Sequence, residues 1–327
     1  MDWKNKSVLV TGAGGFIGSH LAEKLIEFGA DVRAMVHYNA LGTYGWLDQS
    51  ALSEQMTIIP GDITDRDSVY HAMDGIDTVF HLAALIAIPY SYKAPSSYVR
   101  TNIEGTLNVA QAAKDLKIRR IVHTSTSEVY GTARYVPIDE KHVLQGQSPY
   151  SATKIGADKI IEAYNLSFGL PAVTVRPFNT FGPRQSARAV IPTIITQILS
   201  GRTVSLGSIT PTRDLNFVSN TVDGFIAAAT VDAAIGQTIN LGTGREISIG
   251  NLAKLIAEIA GRPITIESQA ARLRPDTSEV ERLLADNSYA KNLLHWEPKI
   301  TLEDGLVTTI QWIESHMERY RPGVYVV

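Results

Sequence analysis

The stretch SVLVTGAGGFIGSHLAEKLIEFG, residues 7–29, decides the fold. SVLVT (7–11) is a short β-branched run, and FIGSHLAEKLIEFG (16–29) carries apolar residues at helical spacing. Between them TGAGGFIG (11–18) sets Gly12, Gly15 and Gly18 three apart. Glycine permits a tight turn and lets backbone N–H groups approach a diphosphate at the positive end of the following helix. An ordinary glycine turn can share this spacing. Here it follows a strand and opens a helix, so it points to dinucleotide binding.

Outward from this unit the chain alternates. VRAMV (32–36), TIIP (57–60), TVFHL (78–82), RIVHTS (120–125) and AVTVRP (172–177) are short apolar runs. Helix-like stretches at 68–73, 98–115 and 151–168 separate them. Strands apolar throughout and divided by helices predict an α/β fold, a Rossmann-type doubly wound parallel sheet. After residue 177 the regularity breaks: Pro and Gly punctuate 177–213, a helix-like segment follows at 220–231, and INLGTG (239–244) reads as a strand. The expected organisation is a dinucleotide-binding domain of 1–176 plus about 213–241. A smaller, interleaved substrate domain is expected from 177–212 plus about 242–327.

Composition narrows the function. Thirty Lys plus Arg against 33 Asp plus Glu leave a net charge of −3, without the basic excess of a nucleic-acid binder. With no cysteine, thiolate nucleophiles, disulfides and zinc–thiolate sites are excluded. The eight histidines show no metal-ligand spacing, so no metal is expected, and His81 and His123 read as core or strand-end residues. No apolar run reaches the roughly 18 to 20 residues of a membrane helix, and the opening MDWKNKSVLVTG lacks a leader core. No membrane association and a cytoplasmic location are therefore expected. The 19% charged residues are few, which hints at surface covered by a second subunit.

Phe16, Ile17, His37, Asp62, Ile63 and the segment Leu82, Ala83, Ala84 join the glycines as candidates to line the cofactor. The second strand ends Val36-His37-Tyr38-Asn39, without the acidic residue that usually meets the adenosine ribose. No Arg or Lys from 37 to 45 stands ready for a 2′-phosphate either, so NAD is favoured and NADP stays open. Asp62, in GDITD, suits the adenine edge, the cap of the following helix, or both.

Tyr150 and Lys154, in Y-S-A-T-K, lie four apart and share one helix face. An ammonium beside a phenol is expected to stabilise the phenolate, fitting the tyrosine to act as a base. A lone Y-x-x-x-K is weak. Combined with the glycine loop and the hydroxyl-rich HTSTSEVYG (123–131), it resembles the extended short-chain dehydrogenase/reductase family, which acts mainly on nucleotide-linked sugars. HLAA (81–84), NIEGT (102–106) and RPFNTFGPRQ (176–185) follow in family order, so the resemblance spans nearly the whole chain. It implies that Thr126 hydrogen-bonds the substrate near O4, that Tyr150 is the base, and that Lys154 also holds the nicotinamide ribose.

Thr126-Ser127-Glu128 is the informative triplet. In the family's 4,6-dehydratases the pattern is Thr-Asp-Glu: oxidation at C4 acidifies the C5 proton, a carboxylate removes it, an acid helps the C6 hydroxyl leave, and hydride returns to C6. Glu128 keeps the base, whereas Ser127 is far too weak an acid to replace aspartate unaided. The same Thr-Ser-Glu occurs in the family's nucleotide-sugar-acid decarboxylases, so decarboxylation is the main alternative, beside 4-epimerisation. A non-catalytic dinucleotide-binding sensor is less expected, because Thr126, Tyr150 and Lys154 are all present.

ALIAIPYSY (84–92), PIDEKH (137–142) and RPFNTFGPRQSARAVIPTIITQILSG (176–201) look most similar to the family's dehydratases of legionaminic-acid biosynthesis, which act on UDP- or GDP-linked N-acetylglucosamine. The apolar loop Leu85 to Pro89 is expected beside C5/C6 or an acetamido methyl, or else buried under the second domain. Asn179, Arg213, Arg274 and one of Arg184 or Arg188 are the candidates to bind the substrate, arginine's fork suiting phosphate oxygens. The resemblance further implies a homodimer through a four-helix bundle of 98–115 and 151–168, with Tyr98, Leu107, Ile160 and Tyr164 as candidate contact residues.

Overall fold

Seven parallel strands run through the centre of the molecule, in a computed structural model that describes residues 3–273 and 275–320. In chain order the first six strands are β1 (Ser7–Thr11), β2 (Asp31–His37), β3 (Thr57–Gly61), β4 (Thr78–His81), β5 (Arg120–Thr124) and β6 (Ala172–Pro177). Then come β7 (Asn179–Phe181), β8 (Thr203–Leu206), β9 (Thr212–Phe217), β10 (Thr238–Leu241), β11 (Glu246–Ser248), β12 (Thr265–Ser268) and β13 (Arg282–Leu283). The central order is β10-β6-β5-β4-β1-β2-β3. It reverses between β1 and β4, and a crevice opens at the carboxyl ends of such a pair.

The helices are α1 (Phe16–Glu27), α2 (Arg66–Met73), α3 (Ile88–Lys93), α4 (Pro95–Tyr98), α5 (Gly105–Asp115), α6 (Pro149–Phe168) and α7 (Val190–Ser200). α8 (Val218–Thr230), α9 (Ile249–Ile259), α10 (Ser288–Leu294) and α11 (Leu302–Ser315) follow. Each predicted strand of the central sheet forms, within one to three residues at its ends. INLGTG stops being a strand at Leu241, because Thr243 and Gly244 turn their N–H groups onto the Asp214 carboxylate, at 2.8 and 2.9 Å.

The stretch 98–115 is not one uniform helix. Val99–Glu104 forms a wide π-type turn before α5, a feature that often marks functional sites. Asn102, 1% exposed, explains it. Its side chain pairs with both backbone groups of Leu85, at 2.8 and 3.0 Å, and reaches Thr153 at 3.1 Å. The turn therefore pins the apolar loop to α6.

The smaller part of the molecule sets β9 against antiparallel β11 and parallel β13 and β7, with β8 and β12 as a separate pair. One continuous apolar cluster joins Val8, Val10 and Leu21 to Ile194, Leu252 and Ile313. The cap shares a core with the sheet, so the two parts are one packing unit. Trp296 and Trp312 pack here: Trp296 is buried with its indole N–H on the Asn220 carbonyl at 2.9 Å, and Trp312 stacks on His316.

Tyr98 departs from the dimer expectation. It is fully buried in its own chain, donates to the Ala87 carbonyl at 2.5 Å and sets its ring edge-on to Tyr150, 6.3 Å away. Tyr164 and Ile160 are half-buried and Leu107 is 41% exposed. Among the described residues no helix is long and apolar enough to cross a membrane, and no cluster of His, Asp and Glu could hold a metal ion.

Candidate active site

The crevice is a cleft of about 840 Å³ between the sheet's carboxyl edge and the cap. Its floor begins at the end of β1. The Thr11 hydroxyl accepts from the N–H groups of Leu82 and Ala83, both at 3.1 Å, and bonds His81 Nδ1 at 2.9 Å. This latch joins the ends of β1 and β4, where the strand order reverses. Gly12 then turns with φ +72°, and a Cβ there would lie 2.9 Å from the Ala83 nitrogen. Gly15 caps α1 without a side-chain partner, and no acid occupies the first turn. Gly12, Gly15, Phe16, Ile17 and Gly18 all line the cleft, so the uncapped N–H groups and the positive helix end face it. That donor set fits a diphosphate.

His37 also lines the cleft, as do Leu82, Ala83 and Ala84. Asp62 and Ile63 lie outside its lining. The Asp62 carboxylate accepts from Thr64 N at 2.8 Å in the turn leading to α2, and the Ile63 side chain packs against Gly105. Asp62 does not cap α2 either: Asp65 does, accepting from Asp67 N at 3.0 Å, and Asp62 shapes the turn before it.

The loop after β2 supplies wall residues not foreseen from the sequence, Asn39, Thr43 and Tyr44. Asn39 shapes that loop by accepting from Leu41 N and donating to the Thr43 carbonyl at 2.7 Å. Gly14 is the second unforeseen element, since a Cβ there would stand 2.6 Å from the Tyr44 carbonyl oxygen. The signal available was the extra glycine inside GAGG, followed by Gly42 and Gly45.

α6 carries the reacting groups. Ser148 caps it reciprocally with Ser151, Pro149 fills its first position, and Gly169 ends it in the left-handed conformation at φ 66°. The buried Tyr150 phenol is hydrogen-bonded to the Thr126 hydroxyl. Lys154, 4% exposed, donates to the Thr124 carbonyl at 2.6 Å. Thr126 begins a short 3-10 turn, Ser127–Tyr130, and accepts from Glu128 N at 3.2 Å. Thr126, Ser127, Glu128, Tyr150 and Lys154 all line the cleft, so the structure brings the five predicted catalytic residues together.

One electrostatic expectation is corrected. The Tyr150 phenol lies above its ordinary pKa, because burial and then the Glu128 carboxylate oppose phenolate more than Thr126 supports it. Lys154 turns its ammonium onto the Thr124 carbonyl, and burial lowers its pKa to about 8.

The far wall is the cap. Asn179, at the start of β7, lines the cleft, and its Oδ1 is buried without a partner, poised for a donor. Arg188 and Arg213 line it too. Arg213 is buried, donates to the Thr212 carbonyl at 2.9 Å and pairs with Glu279 at 3.3 Å. Arg184 does not belong to this wall: it turns onto α1, bidentate to Glu23 at 2.9 Å and bonded to Ser19 at 3.1 Å. Of the pair Arg184 or Arg188, the cleft holds Arg188. Arg274 lies outside the described residues, while its neighbour Arg272 lines the cleft. Ile86, 59% exposed, Ala87 and Pro89 form the apolar side of the cleft, so the Leu85–Pro89 loop opens onto it.

A sequence profile described as GDP-mannose 4,6 dehydratase matches residues 9–309. The chain belongs to the nucleotide-sugar 4,6-dehydratase/epimerase family. It is 32% identical to a UDP-glucose 4-epimerase of Mycolicibacterium smegmatis, covering 94% of this chain and 98% of that protein. Among solved structures, the dTDP-glucose 4,6-dehydratase DesIV of Streptomyces venezuelae, with NAD bound, superposes with a TM-score of 0.88 at 26% identity, over 96% of this chain and 99% of that one. A UDP-N-acetylglucosamine 4-epimerase of Methanobrevibacter ruminantium reaches 0.86 at 31% identity, over 96% and 100%. The chain is thus an enzyme of a family holding both dehydratases and epimerases, on a Rossmann-type parallel sheet.

Proposed function

We propose that the enzyme is an NAD-dependent 4,6-dehydratase acting on UDP- or GDP-linked N-acetylglucosamine. The observation that carries this reading is Glu128: a carboxylate, 9% exposed, on the turn that starts at Thr126 and electrostatically coupled to the Tyr150 phenol. Epimerisation at C4 needs a base at O4 alone. Dehydration needs a second base beside it, for the C5 proton, and Glu128 supplies one.

The residues divide the work. Thr126 fixes the C4 hydroxyl and favours the Tyr150 phenolate, which takes that hydroxyl's proton, and Lys154 supplies a positive charge at the floor that stabilises the phenolate form. Bound NAD supplies a hydride sink and source that is regenerated in each cycle, and NAD in the DesIV structure supports that choice. Glu128 removes the proton at C5 once C4 is a ketone, and the hydroxyl at C6 leaves as water. With Ser127 in place of an acid, the proton for that water comes from Glu128 itself or from a water it holds. The apolar Ile86 and Ala87 suit the deoxygenated C6 and an acetamido methyl. Arg188, Arg213 and Asn179 face the nucleotide diphosphate. The similarity to a UDP-N-acetylglucosamine epimerase supports an N-acetylated sugar, and the segments quoted above support the legionaminic-acid subgroup. A homodimer through α5 and α6 accompanies this reading, with Leu107 rather than Tyr98 at the contact.

The test incubates purified protein with UDP- and GDP-N-acetylglucosamine and with UDP-glucuronate, without added reductant. A 4-keto-6-deoxy product carrying solvent deuterium at C5 is expected from an N-acetylglucosamine nucleotide. Carbon dioxide from the glucuronate, or a C4 epimer alone, contradicts it.

A further inference from the structure

Beneath the reacting groups lies a buried polar cluster that the mechanism above does not use. Asp158, 4% exposed, sits one turn beyond Lys154 on α6. Its carboxylate accepts from Ser125 Oγ at 2.7 Å, from Arg176 Nη2 at 3.0 Å and Nε at 3.3 Å, and lies 3.1 Å from His123 Nε2. These partners belong to β5, to the residue that follows it, and to β6. Arg176 continues to the Tyr130 hydroxyl at 3.0 Å, and Tyr130 donates to Asn240 Oδ1 at 2.8 Å. Ser125 precedes Thr126, and Tyr130 ends the turn that carries Glu128. The segment holding Thr126 and Glu128 is therefore anchored at both ends, through one carboxylate, to the helix of Tyr150 and Lys154.

The charges agree with this geometry. Arg176 is ion-paired with Asp158 at 3.0 Å, and Lys154, one turn back on the same helix with its ammonium on the Thr124 carbonyl, lies within the field of that carboxylate. The other titratable groups around the cluster are His123 on β5, His81 on β4, Tyr130, Tyr150, Glu128 and Tyr98 beside Tyr150, and Glu140, which accepts from Asn240 N at 2.8 Å beside Tyr130. Burial lowers both histidines, His81 well below its ordinary value. Against the pull of burial, the His123 hydrogen bond and the neighbouring positive charges hold Asp158 down at about 2. Burial depresses Lys154, and Asp158 acts in the opposite direction.

We propose that Asp158 is a positioning residue for the reaction, clamping the Thr126–Glu128 segment onto α6 and serving as the counter-charge that keeps Lys154 an ammonium. The inference rests on oxidation at C4, the step shared by dehydration, epimerisation and decarboxylation of a nucleotide sugar, and on NAD as the cofactor.

Asp158→Asn keeps the size and most hydrogen bonds and removes the charge. The rate of bound-NAD reduction on adding UDP-N-acetylglucosamine is followed against pH, and NAD affinity is followed against pH by calorimetry. In the variant the alkaline limb of both profiles is expected to fall by about one pH unit, a tenfold loss of the ammonium form at fixed pH on that limb. KM for the nucleotide sugar is expected to stay within twofold. Arg176→Gln removes a neighbouring cation and leaves the carboxylate, so the limb is expected to hold or rise. It also reads the sign of the effect should Asp158→Asn fail to fold. Profiles of a folded Asp158→Asn that superimpose on the parent, or an Arg176→Gln limb that falls like that of Asp158→Asn, overturn the proposal. If UDP-N-acetylglucosamine is not oxidised at all, the substrate reading fails, and the calorimetric profile still decides the role of Asp158.

Discussion

The floor of the cleft and its far wall are built on different terms. On the floor, each working side chain comes from a strand end or from α6 and is held by close neighbours: Thr11 by Leu82 and Ala83, Tyr150 by Thr126, Lys154 by the Thr124 carbonyl. On the wall, the polar residues come from segments far apart in sequence, and the charged ones are shared with other partners. Arg213 divides its guanidinium between the cleft and Glu279, and Arg184, from the same turn as the wall's Arg188, leaves the wall altogether for Glu23 on α1. On the proposed reading, the fixed floor carries the chemistry and the wall the choice among sugars and nucleotides.

If that contrast is right, changes on the floor cost rate and changes on the wall cost affinity. The largest effect is expected from Tyr150→Phe, which removes the base at O4. NAD reduction by the nucleotide sugar, followed by nicotinamide absorbance, is expected to fall about 10² to 10⁴-fold while NAD stays bound. Glu128→Gln sharpens the contrast within the floor. Water elimination is expected to fall at least about 10²-fold while reduction of NAD persists, so reduced cofactor accumulates. A variant that still eliminates water removes Glu128 from the mechanism.

How much of this was legible in the sequence follows the same division. The glycine loop, the Tyr150/Lys154 pair and the Thr126–Glu128 triplet are contiguous or helix-periodic, so local spacing nearly determines where they end up. The parallel sheet follows from the alternation of apolar runs with helices. Arg184 misleads because a guanidinium suits a phosphate and a carboxylate alike, and only the packing of the 182–188 turn on α1 puts Glu23 beside it. Gly14 and Asn39 escape notice because their partner is a loop some thirty residues away or a turn without periodicity. The depressed Tyr150 pKa was expected from the lysine alone. Burial, which no spacing reveals, reverses its direction.

Gly14→Ala sits on the boundary between motif and loop. A methyl group at 2.6 Å from the Tyr44 oxygen must displace backbone, so a loss of about 2 kcal/mol or more of stability is expected, with weaker NAD binding. Thermal unfolding with and without NAD reads both.

Two arginines of one turn test where the wall ends, Arg188 lining the cleft and Arg184 facing α1. Arg188→Ala is expected to raise KM about tenfold, as loss of a charge-assisted contact to the substrate, with kcat nearly kept. Arg184→Ala is expected to leave KM unchanged and to lower stability by about 1 kcal/mol, because its partner lies on α1 and the pair is partly exposed. Exchange of these two outcomes reverses the assignment.

At neutral pH the smallest effect is the acid sensitivity of the floor. His81 and His123 have pKa values lowered chiefly by burial, so the unfolded chain takes up protons first. Stability is expected to decline as pH falls below about 6.5, where the unfolded imidazoles begin to charge. The Asp158 contribution, on the order of 2 kcal/mol, is lost only between about pH 4 and pH 2, as its carboxylate protonates. Thermal unfolding temperatures measured from pH 8 to pH 2 check the order of these losses.

The proposed reaction is internal redox chemistry that ends at C6. A nucleotide N-acetylglucosamine deuterated at C4 is the most direct probe, with the product read by mass spectrometry and proton NMR. The expected product is the 4-keto-6-deoxy sugar nucleotide with the C4 deuterium relocated to C6 and NAD unchanged in amount. Deuterium returned to C4 of an epimer, with every hydroxyl retained, would contradict the account.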